Sequence, residues 1–467
     1  MKQIILIIFL LFTSIAIATD VIGDWHGQLD IQSMKIRLSF HISKEGKKYS
    51  STMDSPDQGA MGIPTTDTSF DGKTLKIFIK NLGAEFSGVL EENSITGIFS
   101  QGGMKIPLAL SQIEVAKDIQ KPRPQEPIKP YPYKSEEVFF INKGADNIKL
   151  AGTLTLPQHS KNPPVVILIS GSGPQNRDEE IKVFNHRPFL VWSDYLTRQG
   201  IAVLRYDDRG VGVSEGTQKD ASSADYATDT QAAYNYLKTR ADVIDTTKIG
   251  LMGHSEGGLI APIVAATNKD IAFIIMLAGP GVDGAEVLLT QTKRAAELAG
   301  EDKANIKTNQ EISSEAFAMV KREKDLNKLA MNLTRYLKQV RKEQPDLMEK
   351  ELSDEDIVKQ VKSLSSPWLS YFIRTDPADF LQNVKCPVLA INGSLDFQVI
   401  AEINLPAIKK ALRNAHNKDV TIKELKGLNH LFQKASTGAS SEYAKIEQTV
   451  SPAAMKLVSD WIIKKFL

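Results

Sequence analysis

The sequence predicts a chain of two folded parts: a small antiparallel β domain, then an α/β domain whose parallel sheet is interrupted by a helical insertion. Three observations lead to this prediction. Apolar and polar residues alternate over residues 19–115, a proline-rich segment follows, and short apolar runs separated by helical stretches then recur to the end of the chain. Alternation is typical of half-buried strands, and continuous apolar runs are typical of strands buried on both faces.

Residues 1–18 predict a secretory signal peptide. Lys2 supplies a basic start, an apolar core follows, and Ala16-Ile17-Ala18 forms a cleavage site of the A-x-A type. A retained membrane anchor is the alternative, but the apolar stretch is short and ends in small residues. We therefore expect a periplasmic or secreted protein without a stable membrane span.

The β domain is predicted from strands that are apolar on one face. Ile36, Leu38 and Phe40 alternate with polar residues, and Asp71-Gly72 is one of several turn signals between such runs. A sheet of this size must close on itself or pack elsewhere to hide its edges, so we expect a meander curled into a barrel or sandwich. Five prolines between residues 122 and 132 then predict an extended spacer over 116–135.

The α/β domain is predicted over residues 136–467. It begins with a hairpin, 138–156, and continues with buried strands at 165–169, 201–204, 248–252, 271–277, 388–391 and 420–422. The intervening helices indicate right-handed crossovers in a parallel sheet. Between about 283 and 380 no strand is predicted, and Leu326, Leu329, Leu333 and Leu337 follow helical spacing. We interpret this insertion as a cap over the sheet; a surface bundle unrelated to the site is the alternative.

Composition limits the classes of function. The formal net charge of +1 gives no support for binding nucleic acid, and the single cysteine, Cys386, allows no intrachain disulfide. There is no H-E-x-x-H motif and no cysteine pair, so no metal or other cofactor is expected. The glycines at 210, 212 and 216 resemble a dinucleotide fingerprint, but the third glycine falls late and no helix opens directly after it. Arg209 is instead expected to pair with an aspartate and fix this loop; contact of Asp207-Asp208-Arg209 with substrate is the alternative.

The pentapeptide Gly253-His254-Ser255-Glu256-Gly257 lies between a predicted buried strand and a predicted helix. G-x-S-x-G at such a turn is the pattern of a nucleophile elbow, in which the serine hydroxyl is exposed at the end of the sheet. Ser255 is therefore the candidate nucleophile. His254 occupies a variable position of the G-x-S-x-G motif.

A serine needs a base to take its proton and a third group to orient that base. Asp396 follows the strand 388–391, and His430 follows the last strand in a glycine-containing loop, which gives the chain order Ser, Asp, His. His416 is the other histidine beyond Asp396 and is expected at a polar helix end. We expect the amides of Glu256 and Ser172 to form the oxyanion hole, since Ser172 lies in a glycine-rich loop after the first parallel strand.

With these residues in order, the region 136–467 resembles the α/β-hydrolase family, and within it the secreted esterase and serine-aminopeptidase-like branch. The resemblance is carried by segments 170–178, 208–214, 253–258 and 429–430, and segment 54–60 is similar to the β domain that precedes such hydrolases in bacterial envelope proteins. It departs from the family at Ser170, where a histidine is common. The resemblance implies an α/β-hydrolase sheet with an inserted helical cap.

Three functions are compatible with this pattern. The leading one is hydrolysis of carboxylic esters through an acyl-enzyme, with Trp368, Tyr371 and Phe372 of the cap as possible pocket residues; a cap core cluster is their alternative role. A serine aminopeptidase would use the same machinery on a small peptide. The third is a non-catalytic envelope-binding protein, which the complete triad order disfavours. Neither the natural substrate nor the oligomeric state follows from the sequence.

Overall fold

The computed structural model describes residues 20–31, 34–101, 104–115, 123–158, 160–343 and 353–467. The predicted signal peptide and residues 116–122 of the predicted spacer lie outside these ranges. Two compact units divide the chain, and the boundary falls between Ile119 and Gln120.

The first unit is an antiparallel sheet whose described strands pair in the order β4-β3-β2-β1-β9-β8-β7-β6-β5. The strands are β1 (Gly23–Ile31), β2 (Met34–Glu45), β3 (Lys48–Ser55), β4 (Ala60–Pro64), β5 (Asp67–Phe70), β6 (Thr74–Ile79), β7 (Ala84–Glu91), β8 (Ser94–Gln101) and β9 (Met104–Ser111). Their apolar faces bury Trp25, Phe40 and Phe86, and the rings of the two phenylalanines stack at 5.7 Å. The hydroxyls of Ser51 and Thr68 lie 2.7 Å apart, so β5, at one end of the sheet, approaches β3, the second strand from the other end.

The second unit contains a mixed sheet of order β10-β11-β13-β12-β14-β15-β16-β17. Its strands are β10 (Tyr133–Asn142), β11 (Ile148–Pro157), β12 (Val165–Ile169), β13 (Ala202–Tyr206), β14 (Ile249–His254), β15 (Phe273–Leu277), β16 (Val388–Gly393) and β17 (Val420–Leu425). The predicted hairpin is β10–β11, which joins the sheet antiparallel to β13, and the six strands from β12 to β17 are parallel to one another.

Helices cover both faces of this sheet. They are α1 (Pro188–Arg198), α2 (Ser223–Lys238), α3 (Gly257–Thr267), α4 (Gly284–Ala299), α5 (Lys303–Arg322), α6 (Leu326–Glu343), α7 (Asp354–Leu364), α8 (Pro367–Arg374), α9 (Ala378–Leu381), α10 (Ala401–Asn414) and α11 (Pro452–Phe466). Helices α2, α3 and α10 pack on one face, and α1 and α11 pack on the other. The predicted fold class, an α/β sheet covered by helices and preceded by an antiparallel β domain, is confirmed.

The insertion between β15 and β16 is helical. Helices α4 to α9 occupy it, and none of its described residues forms a strand. Leu329, Leu333, Leu337 and Val340 of α6 are buried against α5 and α7, as their helical spacing predicts, and they form a core separate from the two cores that flank the sheet. Below, the insertion is called the cap.

Candidate active site

Ser255 lies on a sharp turn between β14 and α3. Its φ is +52°, a left-handed conformation that a non-glycine residue adopts at a cost, and which is typical of nucleophile elbows. The turn is tight: a Cβ added at Gly253 would collide with the carbonyl oxygen of Gly257, and one added at Gly257 would collide with that of Ile169. Glycine at these two positions therefore lets the serine turn pack against the end of β12.

Asp396 and His430 lie together at the same edge of the sheet. Asp396 follows β16, His430 follows β17, and the distance from His430 Nδ1 to Asp396 Oδ2 is 2.8 Å. Their side chains are 0% and 4% exposed, respectively, so water does not weaken this contact. The other carboxylate oxygen, Oδ1, accepts hydrogen bonds from the amides of Gln398 and Val399. Both carboxylate oxygens of Asp396 are thus held by partners within the fold.

His430 also lies beside the turn that carries Ser255. The ring centroid of His430 is 4.8 Å from that of His254, the residue before Ser255. The His430 ring contacts Asp396 through Nδ1. Among the described side chains, it makes no hydrogen bond to the Ser255 hydroxyl. Nucleophile–base bonds are commonly long before substrate binds and tighten afterwards.

The glycine-rich loop after β12 approaches the serine from the other side. A Cβ added at Gly171 would lie 3.2 Å from Ser255 Cβ. The loop is held by the Ser170 hydroxyl, which donates to Asp208 at 2.8 Å, and by the Gly171 amide, which donates to Glu179 Oε1 at 2.7 Å. Within the described part of the chain, the amides of Ser172 and Glu256, the two predicted oxyanion-hole donors, donate to no acceptor.

The side chain of Glu256 contacts the cap. Its buried carboxylate accepts a hydrogen bond from the Ser223 hydroxyl at 2.6 Å. It also accepts a hydrogen bond from the indole of Trp368, whose Nε1 lies 2.9 Å from Oε1 and 3.1 Å from Oε2. Helix α8 of the cap is therefore anchored to the residue that follows Ser255.

The three aromatic residues predicted to line a pocket have different surroundings. Trp368 is half-buried at the Glu256 contact, and Phe372 is buried with Leu259 and Val399 while its ring stacks on that of Trp368. Tyr371 lines a cavity of about 490 Å³ next to α8, here called the cap cavity. The cap cavity is lined by Asp220, Ser222, Lys324, Leu326, Pro367, Ser370, Tyr371, Arg374, Thr375, Asp376, Asp379 and Phe380.

The segment Asp207-Asp208-Arg209 after β13 is structural. Arg209 Nε donates to Asp229 Oδ2 of α2 at 2.7 Å, so the expected arginine–aspartate pair exists and its partner is Asp229. Asp207 accepts from the side chain of Arg177. Burial raises the pKa of Asp208 to about 8, despite its hydrogen bonds. All three side chains are directed at internal partners.

Two residues of this region were not singled out by sequence reasoning. Glu179 and His254 form a buried contact, in which Glu179 Oε1 lies 2.9 Å from His254 Nδ1. His254 Nε2 also lies 3.0 Å from the carbonyl oxygen of His430. The motif gave no signal for His254, because its position in G-x-S-x-G is variable, and Glu179 is distant in sequence.

The described residues contain no cluster of histidine, cysteine and acidic side chains that could hold a metal. Among the helices described, none is long and apolar enough to span a bilayer.

A family comparison covers most of this site. The family described as "Serine aminopeptidase, S33" matches residues 189–434, more than half of the chain. The chain belongs to this family. The matched region of the hydrolase contains Ser255, the cap, Asp396 and His430, whereas Ser172 and the first unit lie outside it.

Individual relatives of the hydrolase are distant. It is 27% identical over 322 residues to the esterase EstD of Thermotoga maritima, and the match covers 68% of the chain and 66% of EstD, just under two thirds of that protein. The Pyrococcus furiosus esterase Pf2001 is 17% identical, with a TM-score of 0.43, over 72% of the chain and 91% of the esterase. Est1E of Butyrivibrio proteoclasticus, solved with ferulic acid, is 19% identical, with a TM-score of 0.41, over 70% of the chain and 99% of Est1E.

Proposed function

We propose that the protein hydrolyses carboxylic esters, with Ser255 as nucleophile, His430 as general base and Asp396 as the residue that orients the base. One observation carries this proposal above the others: the buried 2.8 Å contact between His430 Nδ1 and Asp396 Oδ2, beside a serine with a φ of +52°. A histidine whose Nδ1–H is held by a carboxylate presents a bare Nε2, which is the form that accepts a serine proton.

In the proposed reaction, Ser255 Oγ forms a bond to the acyl carbon while its proton passes to His430 Nε2. The carbonyl π electrons move to oxygen, and the amides of Glu256 and Ser172 stabilise this charge. The tetrahedral intermediate then expels the alcohol, which takes the proton from His430. Water repeats the sequence on the acyl-enzyme: its proton goes to His430, its oxygen bonds to the acyl carbon, and Ser255 leaves with the proton.

The choice of an ester over a peptide rests on one relative. EstD, which is 27% identical to this chain over 322 residues, is named an esterase. A serine aminopeptidase remains the second candidate, because the family carries that description and the cap cavity includes three acidic residues, Asp220, Asp376 and Asp379. A free amino terminus would be attracted to such carboxylates.

The test compares purified wild type with Ser255→Ala on p-nitrophenyl acyl esters and on aminoacyl p-nitroanilides. Exposed Ser440, replaced by alanine, is the matched control, and it should retain wild-type rates. We expect ester turnover that Ser255→Ala reduces by about 10⁴-fold or more, together with loss of labelling by a fluorophosphonate. Faster turnover of anilides would replace the ester proposal with the peptidase. Unchanged labelling and activity in Ser255→Ala would overturn the mechanism.

We further propose that the protein is exported to the periplasm or beyond, and that cleavage follows Ala18. Support comes from the basic, apolar and small-residue pattern of residues 1–18. Cell fractionation and amino-terminal sequencing test this proposal: a mature chain that begins at Thr19 in the exported fraction is expected, and a chain that keeps Met1 in the cytoplasm would refute it.

A further inference from the structure

His254 is held between two hydrogen-bond acceptors. Its Nδ1 lies 2.9 Å from a carboxylate oxygen of Glu179, and its Nε2 lies 3.0 Å from the backbone carbonyl of His430. The side chains of His254 and Glu179 are 9% and 6% exposed. Water therefore has little access to either contact.

This arrangement determines the protonation of the ring. A neutral imidazole has one N–H and one bare nitrogen, whereas an imidazolium has two N–H donors. A carbonyl oxygen can only accept, and Glu179 Oε1 already accepts the Gly171 amide at 2.7 Å. With Glu179 as a carboxylate, either neutral form of His254 would place one bare ring nitrogen against an oxygen lone pair, so the geometry fits the imidazolium.

The surrounding charges agree with a charged His254. Burial lowers the pKa of His254, but other contacts outweigh it and hold this pKa above its ordinary value. These contacts are the charge of the Glu179 carboxylate, the hydrogen bond between Glu179 and His254, and the hydrogen bond from His254 to the carbonyl of His430. Asp396 acts in the same direction. The adjacent His186 is fully buried, and burial, followed by the charges of Arg123 and His254, lowers its pKa to about 3, so it is neutral.

The pair joins three separate parts of the site. Glu179 fixes the Gly171 amide in the loop that carries Ser172, His254 belongs to the elbow, and the carbonyl of His430 belongs to the loop of the base. The ring of His254 does not reach the reacting atoms through any described hydrogen bond. Its contacts are with the backbone that places them.

We propose that protonated His254 and Glu179 are positioning residues, which clamp the loop of the base and the oxyanion loop to the nucleophile elbow. The inference rests on the proposed function, because it assumes that His430 is the base. It predicts that the pair sets the rate of the chemical step and has little influence on substrate affinity.

The first test measures protonation directly, without reference to activity. The full-length chain has 7 histidines, so ¹⁵N labelling of the imidazole rings gives a tractable NMR spectrum, in which loss of signals in His254→Gln identifies His254. We expect both ring nitrogens of His254 to carry protons at pH 7.5. We expect Glu179→Gln to leave one of them bare at that pH. A neutral His254 in the wild type would overturn the inference.

The second test is kinetic and uses p-nitrophenyl esters. A misplacement of about 1 Å can cost 10²-fold in rate, so we expect His254→Gln and Glu179→Gln each to lower kcat by about 30-fold or more, with KM within about threefold. Glu179→Asp, which keeps the charge, should recover part of the loss. Exposed His416, replaced by asparagine, is the matched control. A kcat within twofold of wild type in both folded variants would overturn the inference.

The two proposals fail in different ways. If Ser255→Ala kept its ester activity, the proposed function would be overturned, and this inference with it. If Ser255→Ala were inactive but His254 were neutral in the wild type, the inference alone would be overturned.

Discussion

Replacement of Asp396 by asparagine tests the orientation of the base in an atom-specific way. Oδ1 of Asp396 accepts two amide protons, from Gln398 at 2.8 Å and from Val399 at 2.9 Å. An asparagine in the same position must therefore keep its oxygen there, because an NH₂ group would face two donors. The NH₂ group is then directed at His430 Nδ1, which occupies the Oδ2 side.

The consequence is a change of tautomer. Nδ1 of His430 must become the acceptor, so the ring proton moves to Nε2, and Nε2 can no longer take the proton of Ser255. A triad with this replacement loses about 10⁴-fold in kcat, which corresponds to about 5.5 kcal/mol of transition-state stabilisation. Because the hydrogen-bond count and the volume are preserved, we expect the fold to survive.

Burst-phase and steady-state kinetics with p-nitrophenyl acetate measure the loss, and thermal unfolding checks the fold. The control is Asp460→Asn, which removes an exposed partner of Lys456 and should leave both stability and activity close to those of wild type. A folded Asp396→Asn variant that loses less than about tenfold in kcat would refute the tautomer argument.

Three further predictions concern the surroundings of the site. Trp368→Phe removes the hydrogen bond that the indole N–H of the cap donates to Glu256. Since a hydrogen bond to a charged group contributes about 1.5–3 kcal/mol, kcat/KM should fall about tenfold. An unchanged kcat/KM would contradict the anchoring of α8. Asp229→Asn leaves buried Arg209 without its counter-charge, and urea titration should report a loss of about 3–5 kcal/mol; a loss below about 1 kcal/mol would contradict a buried pair. The pKa of Asp208 is raised in the folded state, so protonation of this carboxyl stabilises the fold below its ordinary pKa, and the stabilisation is lost as pH rises to about 8. The Tm of wild type should therefore fall relative to that of Asp208→Asn between pH 5 and pH 9. Parallel Tm curves for the two proteins would contradict the raised pKa.

The sequence was sufficient for the sheet and for the pairing of Asp396 with His430. Buried parallel strands appear as continuous apolar runs, and residues that follow neighbouring strands meet at one edge of the sheet. Asp396 follows β16, His430 follows β17, and these strands pair directly. This part of the site is therefore a consequence of strand order.

Contacts set by the path of loops and the packing of helices could not be predicted in this way. Glu179 has a φ of +51° in an irregular segment, and no periodic pattern places it against His254. The cap aromatics illustrate the same difficulty. Trp368 and Phe372 are four residues apart on one helix, yet the first contacts Glu256 and the second is buried with Leu259, because helix orientation decides which neighbour each one meets.

The insertion point of the cap has a consequence for how such an enzyme can change over generations. Strands β15 and β16 are neighbours in the sheet, although the whole cap lies between Leu277 and Val388. The entropy of closing a loop grows only with the logarithm of its length, so doubling the intervening segment would cost the sheet only about 0.6 kcal/mol. The cap has its own apolar core, so its helices can be lengthened, lost or exchanged while β15 and β16 stay paired. The cap can thus diverge in sequence and length at almost no cost to the stability of the sheet.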